Sequence, residues 1–153
     1  QTVALSTQSS LASLPAMLAS CRALGLRETS ADFVLPLAVA IFRVTGPAMN
    51  LAVALYVAKV SGVEIAPALL AVAVVVSVLI SISSVSLPGA ISFVSSVGPL
   101  ALMLGVPIEP LVLLVAVEML PDIMRTLGNV TMDVAVTAWV DRRRSMNAPA
   151  PGP

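Results

Sequence analysis

The sequence predicts an all-α protein that lives in a membrane, and three observations carry that prediction. Of 153 residues, 58% are hydrophobic and only 10% are charged. A soluble domain usually has about 25% charged residues, and a chain this apolar lacks the polar side chains to cover a water-exposed surface. The apolar residues come in blocks of half-membrane to membrane length, divided by Gly, Pro and short polar stretches. The last block runs beyond the length of a bilayer crossing yet carries several ionisable groups, all on one side.

The composition also argues against other classes. Formal net charge is zero, so no basic face suggests nucleic acid as a partner. Cys21 is the single cysteine, which rules out an internal disulfide and leaves the redox compartment open. There is no His, and with it go the commonest general base and metal ligand. Without a Cys/His cluster, a Gly-rich phosphate loop or a nucleophile elbow, the sequence points away from an enzyme and calls for no cofactor. No basic n-region precedes the first apolar segment. The chain opens at Gln1 in QTVALSTQSSLASLP, as if cut from something longer. Seven of its eight basic residues are Arg, and Ala and Val abound, which suggests a GC-rich bacterial genome.

Taken in order, Leu11 to Leu26 reads as a short helix that follows a Ser-rich start and is closed by Gly25. The polar loop LRETSAD follows. Phe33 to Val60 is of membrane length, but Pro47, which cannot donate a backbone hydrogen bond, places a break at Thr45-Gly46-Pro47. Pro67 to Ile82 is a run of Ala, Val and Leu that leads into SISSVSLPG. Ala90 to Val106 is a further apolar arm, stopped by Gly105 and Pro107. Leu111 to Val140 would be about 45 Å long as a helix, against about 30 Å of hydrocarbon, so it tilts or protrudes. Arg142, Arg143 and Arg144 abut this block and place its end on the cytoplasmic side; the rival reading is a plain helix stop. The tail SMNAPAPGP reads as disordered. Ser86-Leu87-Pro88-Gly89 admits two readings: a turn between two full spans, or non-helical backbone at membrane depth, tolerated only where protein or water satisfies it.

Glu118, Asp122, Arg125, Asn129 and Asp133 fall at offsets 0, 4, 7, 11 and 15. At about 100° per residue they share an arc of roughly 80°, bordered by Thr126. Each charge would cost at least about 2.5 kcal/mol facing lipid at the helix centre, so the stripe faces protein or a wet cavity. Asp122 and Arg125, at i and i+3, can partly neutralise each other. Arg offers a planar fork for a carboxylate, and an Asp one turn away can accept an ammonium group or a proton. Glu118 and Asp122 are candidates to carry protons, since desolvation disfavours a charged carboxylate. The alternative role is a buried ion pair that locks two helices together.

The segment EMLPDIMRTLGNVTMD resembles the eighth transmembrane helix of the dicarboxylate/amino acid:cation symporters, the glutamate–aspartate transporter family. That family's pattern is close to D-x-x-x-D-x-x-R-T-x-x-N-V-x-G-D. STQSSLASLP resembles its first re-entrant hairpin tip and SISSVSLPGAI its second, and the order hairpin, helix seven, hairpin, helix eight matches as well. The resemblance spans roughly Gln1 to Arg144. It implies two re-entrant helical hairpins plus two transmembrane helices, the first of them broken at Thr45-Gly46-Pro47. Residues 1–144 would form a partial transport domain: hairpin one 1–26, helix seven 33–60, hairpin two 66–106 and helix eight 111–140. The tail is 145–153, and an N-terminal scaffold that trimerises in the family is expected to lie outside this sequence.

The implied function is symport of acidic amino acids or C4-dicarboxylates by alternating access in a bacterial inner membrane. The protein would be multi-pass with a cytoplasmic C-terminus, and a homotrimer when full length. Among site residues, the resemblance implies Arg125 on a substrate carboxylate, Asp122 on an amino group, Asn129 on the α-carboxylate, and Thr126 beside them. Ser9 and Ser10 would contribute from the first tip, and Leu87, Pro88 and Gly89 from the second. Asn129, Asp133, Ser81 and Ser84 would serve sodium, with Na+ or H+ as coupling ion. The chain departs from the family at helix seven, where N-M-D-G-T-A is replaced by Phe42-Arg43-Val44-Thr45-Gly46-Pro47-Ala48. Arg43 stands where sodium ligands are expected, either replacing a cation near Asp133 or orienting a second carboxylate; the alternative is that it snorkels to an interface. A non-transporting relative that keeps the stripe only for packing is the rival to a transporter.

Overall fold

The computed structural model describes residues 1–83 and 90–146, and all regular structure among them is α-helical. The helices are α1 (Thr2–Thr7), α2 (Leu14–Ala23), α3 (Glu28–Ile41), α4 (Thr45–Val60), α5 (Pro67–Ser83), α6 (Ala90–Met103), α7 (Glu109–Val115) and α8 (Met119–Met146). Three of them end alike: after α2, α4 and α6, Gly25, Gly62 and Gly105 adopt left-handed φ of 73°, 69° and 67°. The next residue's N–H then reaches back to Cys21, Ala58 or Ala101, which satisfies carbonyls the helix would otherwise leave orphaned.

Several expected boundaries shift, each for a local reason. The break in helix seven lies at residues 42–44, just before Thr45-Gly46-Pro47, which forms the first turn of α4. A proline in a first turn costs nothing there, because that N–H has no intrahelical partner anyway, while its ring opposes helix in the residues before it. Pro121 does the same in helix eight. Residues 116–118 are turns with i→i−3 hydrogen bonds, so the expected single helix is two, α7 and α8, with Pro121 in the first turn of α8. Helix α3 takes in most of the expected polar loop and starts at Glu28, an acid well placed against the positive end of the helix. At its far end α8 continues to Met146, two residues into the expected tail; residues 147–153 lie outside the described ones.

The packing is inside-out relative to a water-soluble protein. On α8, Asp122, Arg125, Asn129, Asp133 and Thr137 are buried while Leu120, Met124, Met132 and Trp139 are exposed. On α5, Ala73, Ser77 and Ser81 are buried at four-residue spacing, and Val72, Val75, Leu79 and Ile82 face outward. Small residues inside and large apolar residues outside suit a hydrocarbon solvent, in which close backbone approach drives helix association. Among the described residues, Glu28–Val60 is the helical stretch long and apolar enough to cross a membrane.

Two apolar cores result. One joins α1, α2, α3 and α8 through Met17, Cys21, Leu35 and Val130; the other joins α4, α5, α6 and α7 through Val57, Ala73, Phe93 and Leu111. Each broken helix thus sends one half to each core, and the polar stripe of α8 lies on the seam between them.

At the C-terminal end of α8, Arg27 closes the α2–α3 connection onto Asp141, with Nε donating to Oδ1 and Nη2 to the backbone oxygen, both at 2.8 Å. Arg143 stacks 4.2 Å from the Trp139 ring centroid. The Ser30 hydroxyl and the Arg27 guanidinium hold the Asp141 carboxyl below the usual carboxylate range. A depressed carboxylate stabilises the fold above its unfolded-state pKa and loses that contribution as pH falls through its folded-state value. Thermal unfolding followed from about pH 7 to about pH 3 should therefore show an acid-side loss that Asp141→Asn largely removes.

Candidate functional site

The site grows from α8 outward. Glu118, in the turn before α8, accepts a hydrogen bond from Arg125 Nη2, and Asp122 Oδ1 lies 3.9 Å from Arg125 Nη1. All three are almost fully buried, at 4%, 6% and 4% exposure for Glu118, Arg125 and Asp122. One guanidinium therefore serves two carboxylates. Glu118 is the nearer partner, where the sequence pointed to Asp122.

The break in helix seven completes the site. The backbone N–H and the hydroxyl of Thr45 donate to Asn129 Oδ1 at 3.2 and 2.9 Å, and the hydroxyl lies 3.2 Å from the Arg125 carbonyl. Asn129 therefore has its oxygen committed to α4 and its amide NH2 left for other partners. The approach depends on two glycines. A Cβ at Gly128 would lie 2.7 Å from Thr45 Cγ2, and one at Gly46 would lie 2.8 Å from Ser81 Oγ.

Between α8 and the second core, Arg43, Gly46, Asn50 and Ser81 face Ser92, Ser96, Arg125 and Asn129 across a cavity that gives water about 10 Å³, room for about one molecule. Asn50 Oδ1, Arg125 Nε and Asp133 Oδ1 are buried with no hydrogen-bond partner among the described residues. Arg43 interacts electrostatically with Asp133, Asp122 and Arg125. It is half-buried in the helix-seven break and lines the cavity, which places it inside the site. The site holds three buried carboxylates, Glu118, Asp122 and Asp133, against the buried Arg125 and the half-buried Arg43, which leaves one net negative charge when all are ionised.

The structure therefore gathers Asp122, Arg125, Asn129, Ser81 and Arg43 at the seam. Thr126 and Asp133 are buried on the same helix. Ser9 and Ser10 sit in the turn between α1 and α2, where the Ser9 carbonyl accepts from the Ser13 hydroxyl at 2.9 Å; neither lines the cavity. Ser84, Leu87, Pro88 and Gly89 lie outside the described residues. Sequence reasoning missed Thr45, Asn50, Ser92 and Ser96. Ser92 and Ser96 carried a signal, since two serines at i and i+4 on an apolar helix share one face.

Two short helices, a broken helix, two apolar helices and a second broken helix, with a charged stripe at the seam, make up the described residues. The family model described as the sodium:dicarboxylate symporter family matches residues 1–143. The chain belongs to the sodium:dicarboxylate symporter family. No protein of curated function and no solved structure matches it. As a member of that family it is a helical membrane protein of symporter type.

Proposed function

We propose that this chain forms the substrate-binding part of a secondary transporter for acidic amino acids or C4-dicarboxylates, with the Arg125 guanidinium as the carboxylate anchor. The observation that supports this most directly is the buried Arg125, which lines the seam cavity beside Asn129 and whose Nε has no hydrogen-bond partner among the described residues. An unpartnered donor of a buried guanidinium is costly to keep, and a ligand carboxylate would satisfy it through a charge-assisted bond. Asp122 and Thr126 border the same place. On this reading Ser9 and Ser10 contribute donors to the ligand from the first tip, and Leu87, Pro88 and Gly89 are the contacts the family pattern implies at the second. The full-length protein would be a trimer in a bacterial inner membrane with its C-terminus cytoplasmic, and residues 1–144 its partial transport domain.

The Asp133 oxygen with no hydrogen-bond partner among the described residues fits a cation, with Ser81 and Ser84 as the other sodium ligands the family pattern implies, whereas the Asn129 oxygen that the pattern also implies is taken by Thr45. On this reading Arg43 supplies a fixed positive charge to Asp133 in place of one such ion. Uptake of aspartate, glutamate, succinate and malate by the full-length protein, with and without sodium, tests both points. Uptake of at least one of them, with little dependence on sodium, is expected. Arg43→Ala should make thermal stability sodium-dependent, because Asp133 would then need another counter-charge. Steep sodium dependence in the wild type would sink the replacement of a cation by Arg43.

A further inference from the structure

We propose that the C-terminal end of α8 is a docking surface for anionic phospholipid, with Arg142 and Arg143 holding the headgroup phosphate beside Trp139. This surface shares no residue with the seam cavity, so it stands independently of what the seam binds.

The exposed side of α8 changes character along its length. Met124, Met132 and Trp139 are exposed on it, which suits a face in contact with acyl chains. One turn further on, the exposed residues are Arg142, Arg143 and Arg144. Three helical residues rise about 4.5 Å, so the arginines begin about that far beyond the ring. Tryptophan favours the membrane–water interface, with its ring at headgroup level. The arginines are thereby placed among the headgroups. Trp139, Arg142, Arg143 and Met146 follow one another at i, i+3, i+4 and i+7, which puts them on one side of the helix. Together they line a single notch. Arg144, about 140° round the helix from Trp139, is not among the residues that line it.

The positive charge of this face is not cancelled within the fold. Asp141 is the acidic neighbour in sequence, but it points about 200° away from Trp139. It is buried there, and its Oδ1 accepts from Arg27 Nε at 2.8 Å. Among the described residues, no carboxylate lies within ion-pair distance of Arg142, Arg143 or Arg144. The Arg143 guanidinium lies 4.2 Å from the Trp139 ring centroid. That contact restrains the guanidinium by cation–π attraction and leaves its N–H donors for an acceptor. Phosphate is an acceptor that such a fork matches with two parallel bonds. At headgroup depth, a bilayer supplies phosphate as phospholipid, and an anionic headgroup adds the net negative charge that a zwitterionic one lacks. Each arginine near an anionic membrane surface contributes about 1 kcal/mol, or about fivefold in affinity.

The test uses the full-length protein in phosphatidylcholine bilayers that contain a bromine-labelled lipid, either phosphatidylglycerol or phosphatidylcholine. Quenching of Trp139 fluorescence, isolated by subtracting the signal of a Trp139→Phe variant, gives the affinity of one lipid relative to the other at this place. Phosphatidylglycerol should be clearly preferred. Arg142→Gln and Arg143→Gln should each lower the preference about fivefold, and the double variant should bring the two lipids close to parity. Arg144→Gln should lower it less. Equal quenching by both lipids in the wild type overturns the proposal, as does a preference that survives the double variant. Equal losses from all three arginines overturn the notch. Should a variant fail to fold, the wild type alone decides: the preference should fade at about 1 M salt, where the screening length is about 3 Å, and its persistence overturns the proposal. Loss of the preference on adding inorganic phosphate, against chloride at the same ionic strength, would make the occupant a soluble anion and overturn the assignment to lipid.

Discussion

Replacing Arg125 with alanine is expected to abolish binding of acidic substrates and to destabilise the protein, through separable causes. Truncating one partner of a buried, hydrogen-bonded charge pair costs binding about 2–5 kcal/mol, or about 30-fold to several-thousand-fold in affinity. The loss of stability has another origin. Glu118 and Asp122 remain buried at 4% exposure each without their counter-charge, and breaking a buried pair from one side costs about 3–5 kcal/mol. Two further variants separate the effects. Arg125→Lys keeps the charge and loses the fork, so it should retain much of the stability and still bind poorly. Combining Arg125→Ala with Glu118→Gln should recover stability without recovering affinity. Thermal unfolding and succinate binding read both quantities. Unchanged affinity in Arg125→Ala would mean that the carboxylate is gripped elsewhere.

The second expectation concerns Gly128, a residue that touches no ligand in this reading. Alanine favours a helix over glycine by about 1 kcal/mol, so propensity alone predicts that Gly128→Ala stabilises α8. Packing predicts the reverse. The new Cβ would stand 2.7 Å from Thr45 Cγ2, and forcing a methyl into a closed contact costs about 1–3 kcal/mol. The net expectation is a loss of up to about 2 kcal/mol. Substrate affinity should fall with it, because the displaced Thr45 is what holds Asn129 Oδ1 at 2.9 Å. Thr45→Ser removes the offending methyl and keeps the hydroxyl. The double variant should therefore regain affinity and become at least as stable as Thr45→Ser alone, its sign reversed by the propensity gain. Were Gly128→Ala as stable as wild type with Thr45 intact, the close approach of α4 to α8 would be wrong.

The two expectations differ in how far the sequence reveals them. The stripe was legible because helix geometry projects Glu118, Asp122, Arg125, Asn129 and Asp133 onto one arc, and hydrocarbon allows such an arc only against protein or water. The identity of Arg125's nearer partner was not. Spacing favours Asp122 at i−3, whereas Glu118, seven residues away, reaches the guanidinium from a turn whose position depends on Pro121. Likewise Pro47 and Pro121 announced interruptions, but a proline is tolerated in a first turn, so both breaks fall upstream of the residue that signals them.

By itself, the sequence determined that the chain is helical, that its solvent is lipid, that one face of its last helix is charged, and that its family is one of symporters. The first three follow from composition and from periodicity along a single segment; the family follows from the resemblance of its motifs and from the match over residues 1–143. The tertiary structure decided which groups share the seam: Thr45 with Asn129, Arg43 with Arg125, and Ser81, Ser92 and Ser96 around them. These are pairings between helices far apart in the chain. They are set by how closely two backbones approach, here through Gly46 and Gly128, and no periodicity within one helix encodes that distance.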